Sequence, residues 1–148
     1  MIYEVNKENS NKLKKYVYNH VEDEILKTFN VLWDDRDYWK YNPLVYKIED
    51  EIVAFTAYTI DEKYPGKLKV YYLHTHKDYR GQKIAKQLLR RLADIATQHN
   101  KDMLYITEEN TDGSKLFGDM EFKTKINEFG TIDKIYDIKR EKLIGFFI

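Results

Sequence analysis

The chain has 148 residues, 25 Lys plus Arg balanced by 25 Asp plus Glu, 43% hydrophobic residues and no cysteine. That is enough apolar side chain for one compact core. It excludes disulfides, thiolate metal sites and a cysteine nucleophile, and it lacks the overall basicity of a polyanion binder. No apolar run nears the ~20 residues needed to cross a bilayer, and Met1-Ile2-Tyr3-Glu4 has no leader-like pattern. The expectation is one cytoplasmic domain over residues 1–148, with no membrane or nucleic-acid partner.

In chain order, residues 2–5 suit a short strand. Ser10 is a candidate cap for a helix to about Val21, with Leu13, Tyr16, Val17 and His20 at helical spacing. Residues 22–42 mix acidic and aromatic side chains, and Pro43 disfavours helix at Asn42. Residues 45–48 and 52–60 read as two strands turning at Glu49-Asp50. Tyr64-Pro65-Gly66 marks a turn before a β-rich run over 68–75.

The clearest helix follows Gly81, with Ile84, Ala85, Leu88, Leu89, Leu92, Ala93, Ile95 and Ala96 forming one apolar stripe. Residues 103–107 read as a buried strand, 111–120 as a short helix, and 122–129 with 132–138 as a hairpin turning at Gly130. A strand, a crossover helix and a second strand make a βαβ-like unit, so an α/β sheet is the expected class.

The chemistry concentrates where the strand meets that helix, in Leu73-His74-Thr75-His76-Lys77-Asp78-Tyr79-Arg80-Gly81-Gln82-Lys83-Ile84-Ala85-Lys86. The first N–H groups of a helix lack internal partners and sit at the positive end of its dipole, which suits a phosphate. Gly81 permits close backbone approach, and Arg80, Lys83 and Lys86 add positive charge. Residues 77–91 carry six basic and one acidic side chain, whereas residues 22–37 carry six acidic and two basic. The overall neutrality is therefore a cancellation between two oppositely charged segments. A basic helix start on a solvated face remains the plainer alternative.

Tyr79-Arg80-Gly81-Gln82-Lys83-Ile84-Ala85 resembles the Arg/Gln-x-x-Gly-x-Gly/Ala signature of the GNAT superfamily of acyl-CoA N-acyltransferases. The likeness continues through Asn110, Gly113, Leu116, Phe117 and Phe122, and backward to Leu73-His74-Thr75. It implies a GNAT-like α/β fold, a central mixed and mostly antiparallel sheet flanked by helices, with acetyl-CoA as co-substrate and no metal. It also implies cofactor contacts at Leu73, Thr75, Arg80, Gly81, Gln82, Lys83, Ala85, Lys86, Asn110 and Phe117. Here Lys83 replaces the first motif glycine, where a helical lysine could keep the backbone contact. Lys77 and Glu121 replace a proline and a glycine. Phe117 replaces a tyrosine that donates a proton to the leaving thiolate, and Lys69 replaces a carboxylate base. Tyr105 stands where some members have a catalytic glutamate.

The resemblance implies direct attack of an amine on the thioester, which requires a neutral amine and donors for the thioester oxygen. His74, or water relayed by it, is the candidate base, and Tyr105 is a candidate for orienting the amine. His74-x-His76 has no evident third partner for a metal. Asp34, Asp35 and Trp39 are candidates for receiving a cationic small molecule or a protein amine. The competing readings are a catalytically silent coenzyme A-binding protein and an interaction module. The apolar Leu143-Ile144-Gly145-Phe146-Phe147-Ile148 would then serve a homodimer or another partner.

Overall fold

The computed structural model describes residues 1–5, 10–20, 42–60, 66–107, 120, 122–126, 128–130 and 132–138. In these, the strands are β1 (Ile2–Glu4), β2 (Asn42–Ile48), β3 (Glu51–Thr59), β4 (Lys67–Thr75), β5 (Met103–Thr107), β6 (Lys123–Ile126) and β7 (Ile132–Asp137). Helix α1 spans Asn11–His20 and helix α2 spans Ile84–Gln98. The helix expected over 111–120 lies outside the described residues, apart from the buried Met120.

The strands form one seven-stranded sheet in the order β1-β2-β3-β4-β5-β7-β6. Only β4 and β5 run parallel, joined by α2; every other neighbouring pair is antiparallel. This is the expected βαβ unit set in an otherwise antiparallel sheet. The β2–β3 hairpin turns at Glu49 and Asp50, whose φ angles of 50° and 67° give the two left-handed residues that match the twist of a tight hairpin.

A helix packs on each face of the sheet. On one side, Ile84, Leu88, Leu89, Leu92, Ala93, Ile95 and Ala96 of α2 join Leu68, Val70, Leu73, Leu104 and Ile106 in one buried cluster. On the other, Leu13, Tyr16 and Val17 of α1 join Val45, Phe55, Ala57 and Tyr72. The α2 stripe is the one read from the sequence. His20, expected on the buried stripe of α1, is instead exposed at that helix's last residue.

A bulge in β4 sets which side chains meet which helix. Ala57 pairs with Tyr72 and Tyr58 with Val70, so Tyr71 is the extra residue. Both Tyr71 and Tyr72 therefore pack on the α1 face, between Val70 and Leu73 on the α2 face. Alternation resumes after the bulge, and His74 comes to the α1 face as a result. The Thr56 hydroxyl donates to the Tyr72 carbonyl at 2.6 Å and secures the distortion.

Candidate active site

Strands β4 and β5 are in register only from Lys67–Met103 to Val70–Ile106. β4 continues to Thr75, held on its other edge by β3 through pairs such as Leu73–Thr56 and Thr75–Ala54. Among the described residues no strand pairs with the β5-facing edge of residues 71–75. An extended ligand laid along Leu73 to Thr75 would meet that edge of the strand, where the Thr75 carbonyl already accepts from Arg80.

The chain then enters a single 3-10 turn, Lys77–Tyr79, capped by the His76 ring: the Asp78 N–H donates to His76 Nδ1 at 3.1 Å. The Asp78 carboxylate lies 3.7 Å from the same atom. Arg80 folds back and its Nε donates to the Thr75 carbonyl at 3.1 Å, tying the loop to the strand end.

Gly81 has φ +84°, a conformation that glycine adopts without the Cβ penalty. Lys83 has φ 62° and precedes α2 as its N-cap, without a side-chain cap bond. The expectation of a helical lysine is thereby corrected: Lys83 keeps the left-handed backbone that a glycine would favour. No acidic residue occupies the first turn of α2. The positive end of the helix is left to the basic side chains of Arg80, Lys83 and Lys86, with Gln82 and Ala85 between them. This is the composition and geometry of an anion site at a helix start.

His74 sits between α1 and the sheet. Its Nδ1 lies 3.0 Å from the Tyr16 hydroxyl, and its ring packs 5.8 Å from the Tyr16 ring and 6.1 Å from that of Phe55. Burial, reinforced by positive charge from Arg80, His20 and His76, pulls its pKa down to about 4. At neutral pH the ring is uncharged. Tyr16 is shifted the opposite way by burial, so its hydroxyl stays protonated. The His20 ring rests 4.4 Å from that of His76 and 5.0 Å from that of Tyr16, and its pKa is lowered by partial desolvation and by His76. Three of the four histidines of the chain thus gather beside the loop.

Tyr105 stands on the α1 side of β5, opposite in facing to Leu104 and Ile106, and is half-buried. Its ring receives the ammonium groups of Lys69 at 5.5 Å and Lys67 at 5.8 Å, and Lys69 also lies 4.5 Å from the Tyr71 ring. Tyr105 pairs in register with Lys69, which puts it roughly 15 Å along the strand from His74 at about 3.3 Å per residue. The two candidate catalytic side chains are not brought into contact. Leu73 is buried in the α2 core, so only its backbone faces the open edge; Thr75 is half-buried at the strand end. Asn110, Phe117, Asp34, Asp35 and Trp39 lie outside the described residues.

Sequence reading missed Tyr16 as a partner of His74. The hint available was a hydroxyl-bearing ring on an otherwise apolar helix face, since a buried tyrosine oxygen needs a partner. The grouping of His20 with His76 had no local signal. Among the described residues, no three His, Asp or Glu side chains are arranged to hold a metal, and no helix is long and apolar enough to cross a membrane.

The sequence and the fold both resemble known proteins. The family model for the GNAT acetyltransferase family matches residues 13–122. No curated protein matches the sequence significantly. Among solved structures, the PaiA N-acetyltransferase from Thermoplasma acidophilum in complex with coenzyme A superposes with a TM-score of 0.68 at 13% identity, covering 93% of this chain and 98% of that one. The ribosomal-protein-S18-alanine N-acetyltransferase from Escherichia coli gives 0.66 at 15% identity, covering 93% of each chain. A GNAT-family acetyltransferase from Staphylococcus aureus gives 0.66 at 12% identity, covering 93% and 98%. At these identities the structural likeness concerns the fold. The family match spans most of the sequence, and the chain belongs to the GNAT acetyltransferase family.

Proposed function

We propose that this chain is an N-acetyltransferase that moves an acetyl group from acetyl-CoA to a primary amine by direct attack in a ternary complex. The observation that carries this reading is the continuity of β4, beyond the end of its pairing with β5, with a basic helix start that has no side-chain cap. The β5-facing edge of residues 71–75 leads through Gly81 and Lys83 into the N-terminus of α2. A coenzyme A thioester has the matching halves, an amide-bearing arm that pairs with a strand edge and a pyrophosphate that suits helix N–H groups. A relative in fold was solved with coenzyme A.

In this reading the backbone of Leu73 and Thr75 receives the amide-bearing arm. Arg80, Gly81, Gln82, Lys83, Ala85 and Lys86 receive the phosphates, with Asn110 and Phe117 completing the cofactor side. The amine nitrogen bonds to the carbonyl carbon, the carbon–sulfur bond breaks, and the thiolate leaves. Strand-edge N–H groups stabilise the charge that gathers on the thioester oxygen.

The amine loses one proton in this step. His74, neutral at pH 7, accepts it in this reading, directly or through water that passes the proton on to solvent. Tyr105, with the Lys69 and Lys67 ammonium groups against its ring, lines the neighbouring face and orients the acceptor. Asp34, Asp35 and Trp39 are assigned to drawing in a cationic acceptor.

A second reading, a silent coenzyme A binder, draws on Lys69. This cation stands over Tyr71 and Tyr105 where the family resemblance leads one to expect a carboxylate base. Thiol release from acetyl-CoA, measured over a panel of polyamines, aminoglycosides and peptides with free amines, separates the two. Amine-dependent release supports the transferase. Release from none of them, in a protein that binds acetyl-CoA, supports the silent binder.

A further inference from the structure

We infer that Tyr16 is a positioning residue that fixes His74 in the tautomer with hydrogen on Nδ1, leaving Nε2 as the atom that accepts a proton.

The assignment follows from counting hydrogens along one chain of contacts. The Tyr16 hydroxyl lies 3.1 Å from the Val53 carbonyl and 3.0 Å from His74 Nδ1. It has one hydrogen to give, and a carbonyl oxygen can only accept. When the hydroxyl donates to Val53, the contact to His74 is a bond only if Nδ1 carries the hydrogen and the tyrosine oxygen accepts it. Val53 also accepts the His76 N–H at 2.7 Å, so both of its lone pairs are then used and every group in the chain is satisfied. The opposite tautomer would have Tyr16 donate to Nδ1 and would leave Val53 with the His76 N–H alone, one hydrogen bond fewer in the same chain of contacts.

Nδ1 is thus occupied and Nε2 keeps its lone pair. The second hydrogen bond of an imidazole sets which nitrogen does chemistry, and here the setting residue comes from a different element, α1. Among the described residues, the charged and titratable groups around the ring are Tyr16 and His20 from α1, His76 beyond β4, and Arg80 from the loop. None of them offers an anion that would favour the doubly protonated ring. Phe55 and Tyr16 hold its plane by ring contacts.

The catalytic consequence rests on the reading of His74 as proton acceptor, but the tautomer does not. The test is nitrogen-15 spectroscopy of the histidine rings in the full chain at pH 7.5, with the His74 signals assigned by their loss in His74→Gln. The expected wild-type spectrum has a protonated Nδ1 and a bare Nε2, and Tyr16→Phe moves the population toward Nε2–H. A bare Nδ1 in the wild type, or a tautomer unmoved by Tyr16→Phe, overturns the inference whether or not any amine is acetylated. In an active protein, Tyr16→Phe lowers kcat ~10-fold with the KM for acetyl-CoA unchanged, a part of the roughly 10²- to 10⁴-fold a positioned proton acceptor contributes. A shifted tautomer with undiminished kcat overturns the positioning role.

Discussion

The buried, neutral His74 makes stability depend on pH in a defined direction. In the unfolded chain the ring titrates near 6.5, whereas in the folded chain it resists protonation down to about 4. Between those values the unfolded state binds more protons, so stability falls as pH drops from about 6.5 towards 4. The full gap corresponds to about 3.4 kcal/mol at 1.36 kcal/mol per pH unit. Only part of it is expressed at pH 5, and the ring's partial exposure reduces it further, leaving about 1–2 kcal/mol between pH 7.5 and pH 5. For a chain of this length that is a fall in Tm of about 2–6 °C. His20, whose pKa is also lowered, acts in the same direction. The assay is thermal denaturation of the wild type and His74→Gln at pH 7.5, 6.5, 5.5 and 5.0. The variant loses the His74 share of the slope, so the two curves converge as the pH falls. Parallel curves would refute the claim that this ring is held neutral by its surroundings.

Other substitutions test other parts of the structure. Gly81→Ala meets no atom within 4 Å of the new Cβ, so its cost is the left-handed backbone alone, about 1–2 kcal/mol by calorimetry or denaturant titration. Lys83→Gly relieves the same strain and raises stability by roughly 0.5–1 kcal/mol, while acetyl-CoA affinity stays within a few-fold if the contact there is through the main chain. Leu92→Ala, at a fully buried position of α2, costs about 2–5 kcal/mol in urea titration. Alanine at Asp34 and Asp35 raises the KM for a cationic acceptor and spares acetyl-CoA affinity; unchanged acceptor kinetics would remove these residues from the acceptor site.

Periodicity made the main elements legible before the structure. The stripe from Ile84 to Ala96 faces the core as its spacing requires, and the Glu49-Asp50 turn falls between β2 and β3. Hydrophobic spacing is a local property, so it survives in a single sequence. The bulge at Tyr71 was invisible because no glycine marks it and Tyr71-Tyr72 is ordinary strand sequence. It nevertheless determines the face on which His74 lies. The Tyr16–His74 contact joins residues 58 positions apart, and nothing local encodes such a pair. Lys83 was read as helical because the helix was taken to follow Gly81 directly, whereas Lys83 is the N-cap of α2 with a left-handed backbone. The motif marked the loop and helix start, whereas the surroundings of His74 came from tertiary packing.

The central claim, that the open edge of β4 and the start of α2 receive a coenzyme A thioester, is tested most directly by calorimetric titration of the full chain with acetyl-CoA. The account predicts saturable binding that weakens with salt and falls by roughly 10-fold or more in the Arg80→Ala, Lys86→Ala double variant, as expected for lost charge-assisted bonds to phosphate. No binding in the wild type, or binding indifferent to both side chains and to salt, would contradict it.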